Sequence, residues 1–196
     1  MIIRSAFDVA SFNIAPEHEP IFAWLCAERS AGVCRLDDGR IGDLVQEALA
    51  AVGSWYGVSG EASSLAHLRS LHEAILGELH SDCDFGQFHV FRVRAFSSVG
   101  HALGAVIADG DQPVAAQESR QSAEAEVSIV KGAYYRKLGS YSGVYEHRSF
   151  ARQIKWQSDD LEILNSGSSA GVEQLLALAI ERGTLLADEI RDDRLI

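Results

Sequence analysis

The chain has 196 residues, 47% of them hydrophobic and 23% charged, with a formal net charge of −11. That composition excludes wholesale disorder, and no apolar run reaches the roughly 20 residues that span a bilayer. The acidic balance argues against a nucleic-acid binder, which needs a basic footprint for phosphate.

The first 15 residues hold a candidate short strand around "MII" and "ASFNIA", with no basic, apolar and small-residue sequence of a leader. Pro16 opens a predicted helix to about Ser30, with Ile21, Phe22, Trp24 and Leu25 facing inward. Residues 40 to 56 carry an apolar stripe of helical period through Ile41, Leu44, Val45, Ala48, Leu49, Val52 and Trp55, ended by Gly57 and Gly60. A third helix is expected over 61–80 on Leu65, Leu68, Leu71, Ile75, Leu76 and Leu79.

The pattern then changes. "FGQFHVFRVRAF" (85–96) is rich in Phe and Val and is read as a strand, with Arg92 and Arg94 on one face of it. Residues 101–118 give two apolar runs around Asp109-Gly110, a hairpin signature, with a helix over 99–108 as the competitor. Residues 125–156 divide between helical spacing (Val127, Val130, Tyr134, Leu138) and the Tyr, Val and Gly content of strands; strands are preferred. "LEIL" (161–164) is a further strand candidate, and a buried closing helix is expected over 170–191. The predicted fold is α+β in one domain, 1–196: helices over 16–81, a mainly antiparallel sheet over 85–164, then the closing helix.

Motifs for chemistry are incomplete. Gly167-Ser168-Ser169-Ala170-Gly171 matches G-x-S-x-G, but no histidine follows it; the last is His147. Ser168 or Ser169 is therefore read as a helix cap rather than a nucleophile. No H-E-x-x-H, phosphate loop or dinucleotide fingerprint occurs, and His80, Cys83 and Asp84 form too small a cluster for a metal site. No catalytic residue, metal or cofactor is assigned. His72 falls on an apolar stripe and is read as a core histidine. Three widely spaced cysteines, Cys26, Cys34 and Cys83, fit buried thiols in a reducing cytoplasm.

The anomaly is residues 131–157, where six basic side chains meet one acidic one, and where all three lysines and four of the five tyrosines lie. Residues 1–86 carry five basic and 13 acidic side chains. Candidate binding residues are Arg92, Arg94, Tyr134, Tyr135, Arg136, Lys137, Tyr141, Tyr145, His147, Arg148, Arg152, Lys155 and Trp156, with Lys131 in the same block. Tyr, Trp and Arg dominate protein-interface hot spots and also line sites for anionic ligands. The first functional expectation is a non-enzymatic cytoplasmic protein that binds a protein partner, as an inhibitor, adaptor or immunity-like protein. Its partner is either basic and masked by the acidic helices, or held by the Arg/Tyr block. The alternatives are an enzyme or binding domain for a small anionic ligand, with His147 or a tyrosine as acid or base, and a subunit of a larger assembly such as a phage or secretion component. Nucleic acid and membrane are not expected partners.

Overall fold

The structure, a computed structural model, describes residues 14–36, 39–58, 62–80, 88–108, 110–166 and 171–196. These form α1 (Glu19–Cys34), α2 (Arg40–Trp55), α3 (Leu65–His80), α4 (His89–Ile107), α5 (Gln112–Leu138), α6 (Arg148–Asn165) and α7 (Gly171–Arg191), with short 3₁₀ turns at Pro16–His18 and Val144–Glu146. No strand occurs among the described residues, so the α+β expectation is wrong. None of the helices among the described residues is long and apolar enough to cross a membrane.

The organising element is α1. Every residue of it except Ile21 is buried, and it touches α2, α4, α5, α6 and α7. One side, through Ala23, Trp24, Ala27 and Ala31, packs on α2 and α4; the other, through Phe22, Leu25 and Cys26, packs on Ala123, Leu161, Leu175 and Ala179 of α5, α6 and α7. A helix apolar around its circumference belongs inside a protein. The small residues of "AERSAGVC" let neighbours come close. At Gly183 of α7 an added Cβ would lie 2.8 Å from the Arg29 carbonyl oxygen, and at Gly32 it would overlap the Gly183 carbonyl. Two backbones thus meet where both helices have glycine.

The segments expected to be strands form α4, α5 and α6. α4 and α5 are an antiparallel helical hairpin, with Gly132 near Val90, Ser122 bonded to Ser98 and Glu118 against Gly104. Its turn contains Gly110 at φ +96°, the left-handed geometry that glycine supplies to helical and strand hairpins alike. Ser122 Oγ lies 3.0 Å from the carbonyl oxygens of both Ala23 and Ser98, tying α1, α4 and α5 together. Residues 88–96 belong to the start of α4, where Phe91, Arg92, Ala95, Phe96 and Val99 are buried. That is helical spacing, and the Phe/Val content that suggested a pleated surface instead fills a core. "LEIL" lies in the last turn of α6. Helices are present over the three N-terminal ranges and the closing range, although α7 buries one face only, with Ile180 and Leu185 exposed.

Several expectations fall outside the described residues: the strand near the N-terminus, Cys83 and Asp84 beside His80, and Gly167–Ala170 with the proposed cap. Gly171 is the first residue of α7. Cys26 and Cys34 are buried free thiols; burial pushes Cys34 up to about 12. His72 is half-buried, and burial lowers its pKa. His80 Nδ1 lies 2.6 Å from the Leu76 carbonyl oxygen, and no group of three potential metal ligands exists among the described residues.

Candidate functional site

Polar chemistry concentrates in one closed cluster and, among the described residues, in clefts open to solvent, one of which gathers exposed tyrosines. The closed one surrounds Arg29 in the centre of α1. Its Nε and Nη2 donate to Glu126 of α5 at 2.6 and 3.0 Å, and its Nη1 donates to Asp160 of α6. Gln157 donates to Glu126 at 2.8 Å, and Arg182 of α7 donates to the other Asp160 oxygen at 3.1 Å. Two cations thus balance two carboxylates across four helices. Burial pushes the Asp160 carboxyl above its ordinary value, against the pull of both arginines. Arg29, Glu126 and Asp160 are buried, so the cluster offers no substrate a path and acts as a clamp. The sequence signal was a Glu-Arg pair inside an otherwise apolar helix, and it was not singled out.

The open place lies where the first two turns of α4, the last turns of α5 and the loop 139–147 meet. A cleft of about 280 Å³ is lined by Val90, Arg94, Ser128, Lys131, Gly132, Tyr141 and Tyr145. Helical spacing explains the α5 contribution: Ser128, Lys131, Gly132 and Tyr135 share one stripe. Gly132 keeps the floor open, since a Cβ there would come within 3.3 Å of Val90.

The loop is fixed. Gly139 ends α5 at φ +68°, its N–H donating to the Tyr135 carbonyl, and Gly143 turns the chain at φ +82°. The Tyr134 hydroxyl donates to the Ser142 carbonyl at 2.8 Å, and buried Val144 anchors the return. Tyr141 consequently stacks on Tyr135 at 4.7 Å between ring centres, and Tyr145 sits edge-on to Phe150 at 5.1 Å. Lys131 Nζ lies 5.4 Å from the Tyr145 ring centre. Yet Tyr135, Tyr141 and Tyr145 keep 48%, 55% and 38% of their surface in solvent, and Val90 keeps 56%. Arg94 is exposed and forms no ion pair among the described residues.

The candidate residues therefore divide. Arg94, Tyr135, Tyr141 and Tyr145 come together, joined by Lys131 and by Val90, Ser128 and Gly132, which sequence reasoning did not select. Arg92 does not join them: two positions from Arg94 on a helix it points the other way and is buried. Tyr134 is buried and holds the loop. Arg136 lies 5.8 Å over Phe91, and Lys137 donates to the Asp193 and Ile196 carbonyls, at the edge of a smaller hollow. His147 is the N-cap of α6, its Nδ1 accepting from Ser149 N, so its ring is committed to structure. Arg148 and Arg152 face a separate cleft with Arg194, where Arg152 pairs with Glu189. Trp156 lies between Arg152 and Arg182, and Lys155 pairs with Asp159.

No protein family, curated protein or solved structure matches this chain.

Proposed function

We propose that this protein binds a protein partner, and that its contact face is the cleft between α4, α5 and the loop 139–147. The observation that carries the reading is a set of three tyrosines held in place by the fold and left about half exposed, beside Arg94 and Lys131. Pre-fixed Tyr and Arg side chains contribute binding energy at a small entropic cost.

The acidic helices give weaker support. Glu19 and Glu28 are buried in α1, and Glu78 pairs with Arg40. The described part of that region leaves Glu17, Asp43, Glu47 and Glu73 as exposed carboxylates, spread over three elements. The contact is therefore assigned to the tyrosine face. A small anionic ligand in the same cleft is the second reading, favoured by the two cations at its wall. The cleft volume lies just below the roughly 300–1,000 Å³ of drug-sized pockets, and its tyrosines stand open to solvent.

A photo-crosslinking amino acid at Tyr141 tests the reading in the native host. It should give one discrete protein adduct that the same group at Val114, exposed at the far end of α5, does not give. Equal labelling from both positions, or none from Tyr141, would reject the face.

A further inference from the structure

Building on the contact face proposed above, we infer that its ligand is an acidic linear segment of the partner that also carries an apolar side chain. Charge complementarity gives the sign. Arg94 and Lys131 both line the cleft. Arg94 forms no ion pair among the described residues. A guanidinium that presents its donors to solvent accepts a carboxylate in bidentate geometry.

The apolar requirement comes from the remaining walls. Val90, Tyr141 and Tyr145 present carbon surface to solvent at the same opening. A phosphate or a polyanion would satisfy the cations and leave that surface wet. A leucine or an aromatic side chain between two carboxylates satisfies both. The size of the cleft admits one or two side chains, which suits a short segment. A nucleic acid brings charge without the apolar anchor and meets a chain of net charge −11.

Fluorescence anisotropy on the full chain decides the matter, with a labelled heptapeptide of alternating glutamate and leucine as the probe. Expected are saturable binding, a loss of at least tenfold between 50 and 300 mM salt, and a similar loss in Arg94→Glu and in Lys131→Glu. Arg148→Glu, on a different face, should bind as the unmodified protein does. A lysine–leucine peptide should not compete. Competition by an all-glutamate peptide, by inorganic phosphate or by single-stranded DNA as strong as that of the probe would overturn the proposal, because it makes the site a general anion site. Absence of probe binding overturns it as well. If the Tyr141 crosslink still captures its partner in that case, the contact face stands and only the acidic-segment inference falls; if both fail, the face itself is wrong. Matching thermal melts of the two variants guard against loss by unfolding.

Discussion

Arg29 shows how one side chain can hold a bundle together without stabilising it cheaply. Its guanidinium satisfies Glu126 and Asp160 from two helices, and each of those carboxylates has a second donor, Gln157 or Arg182. Arg29→Ala strands two buried carboxylates and should cost about 3–5 kcal/mol in urea unfolding. Arg182→Ala, at a less buried position, should cost clearly less. Glu28 behaves oppositely. Burial raises its pKa above the usual 4.5, opposed by the Trp24 indole hydrogen bond and by Arg35. A carboxyl whose pKa is raised by folding binds more protons in the native state, so its contribution to stability falls as pH rises from about 4.5 through the folded value. Glu28→Gln should therefore raise the melting temperature at pH 7.5, and the gain should shrink as the pH is lowered toward 4.5. A gain independent of pH would show that packing, not charge, is responsible. In the sequence only the charged pair inside an apolar helix is visible; its partners, 97 and 131 residues further along, are not.

At the level of elements, α1 and α7 are held by their glycines. Gly183→Ala places a methyl group against the Arg29 backbone, which cannot swing aside as a side chain could. The substitution should cost at least about 2 kcal/mol even after the intrinsic helical gain of alanine. Gly77→Ala, in an exposed stretch of α3 with nothing within 4 Å, should instead stabilise by up to about 1 kcal/mol. Paired thermal melts check both signs. Amphipathic α2 was legible because its apolar stripe faces one way. α4 and the central part of α5 were not, because burial on several sides removes the contrast on which periodicity depends. In "FHVFRVRAF" every register is apolar enough for a strand as well as a helix. The Asp-Gly turn misled in the same way, since an antiparallel pair of helices uses the same left-handed glycine.

For the whole molecule, the chain's basic block survives as a sequence feature but not as one surface. The fold sends Arg94, Lys131, Tyr141 and Tyr145 to one cleft, Arg148 and Arg152 to another, and Arg136 and Lys137 to a smaller hollow. The residue types of the candidate site were readable. Their grouping was not, because it depends on a helical hairpin that brings Val90 beside Gly132. Four candidates, Arg92, Tyr134, His147 and Trp156, serve packing, loop anchoring, capping or stacking between helices instead.

The central position of α1 also sets an order of assembly. The helix that every neighbour needs is made first, yet the surface that covers it at Gly32 belongs to α7, which starts about 140 residues later, so at ordinary synthesis rates the nascent chain carries an unclosed apolar helix for roughly ten seconds or more. Arg29 waits as long for Asp160. A chain ending at residue 166 should keep much of its helical circular dichroism, bind a hydrophobic dye and sediment with aggregates, while a separately added α7 peptide should return it to solution. The last helix to appear thus decides whether the first one is an asset or a hazard.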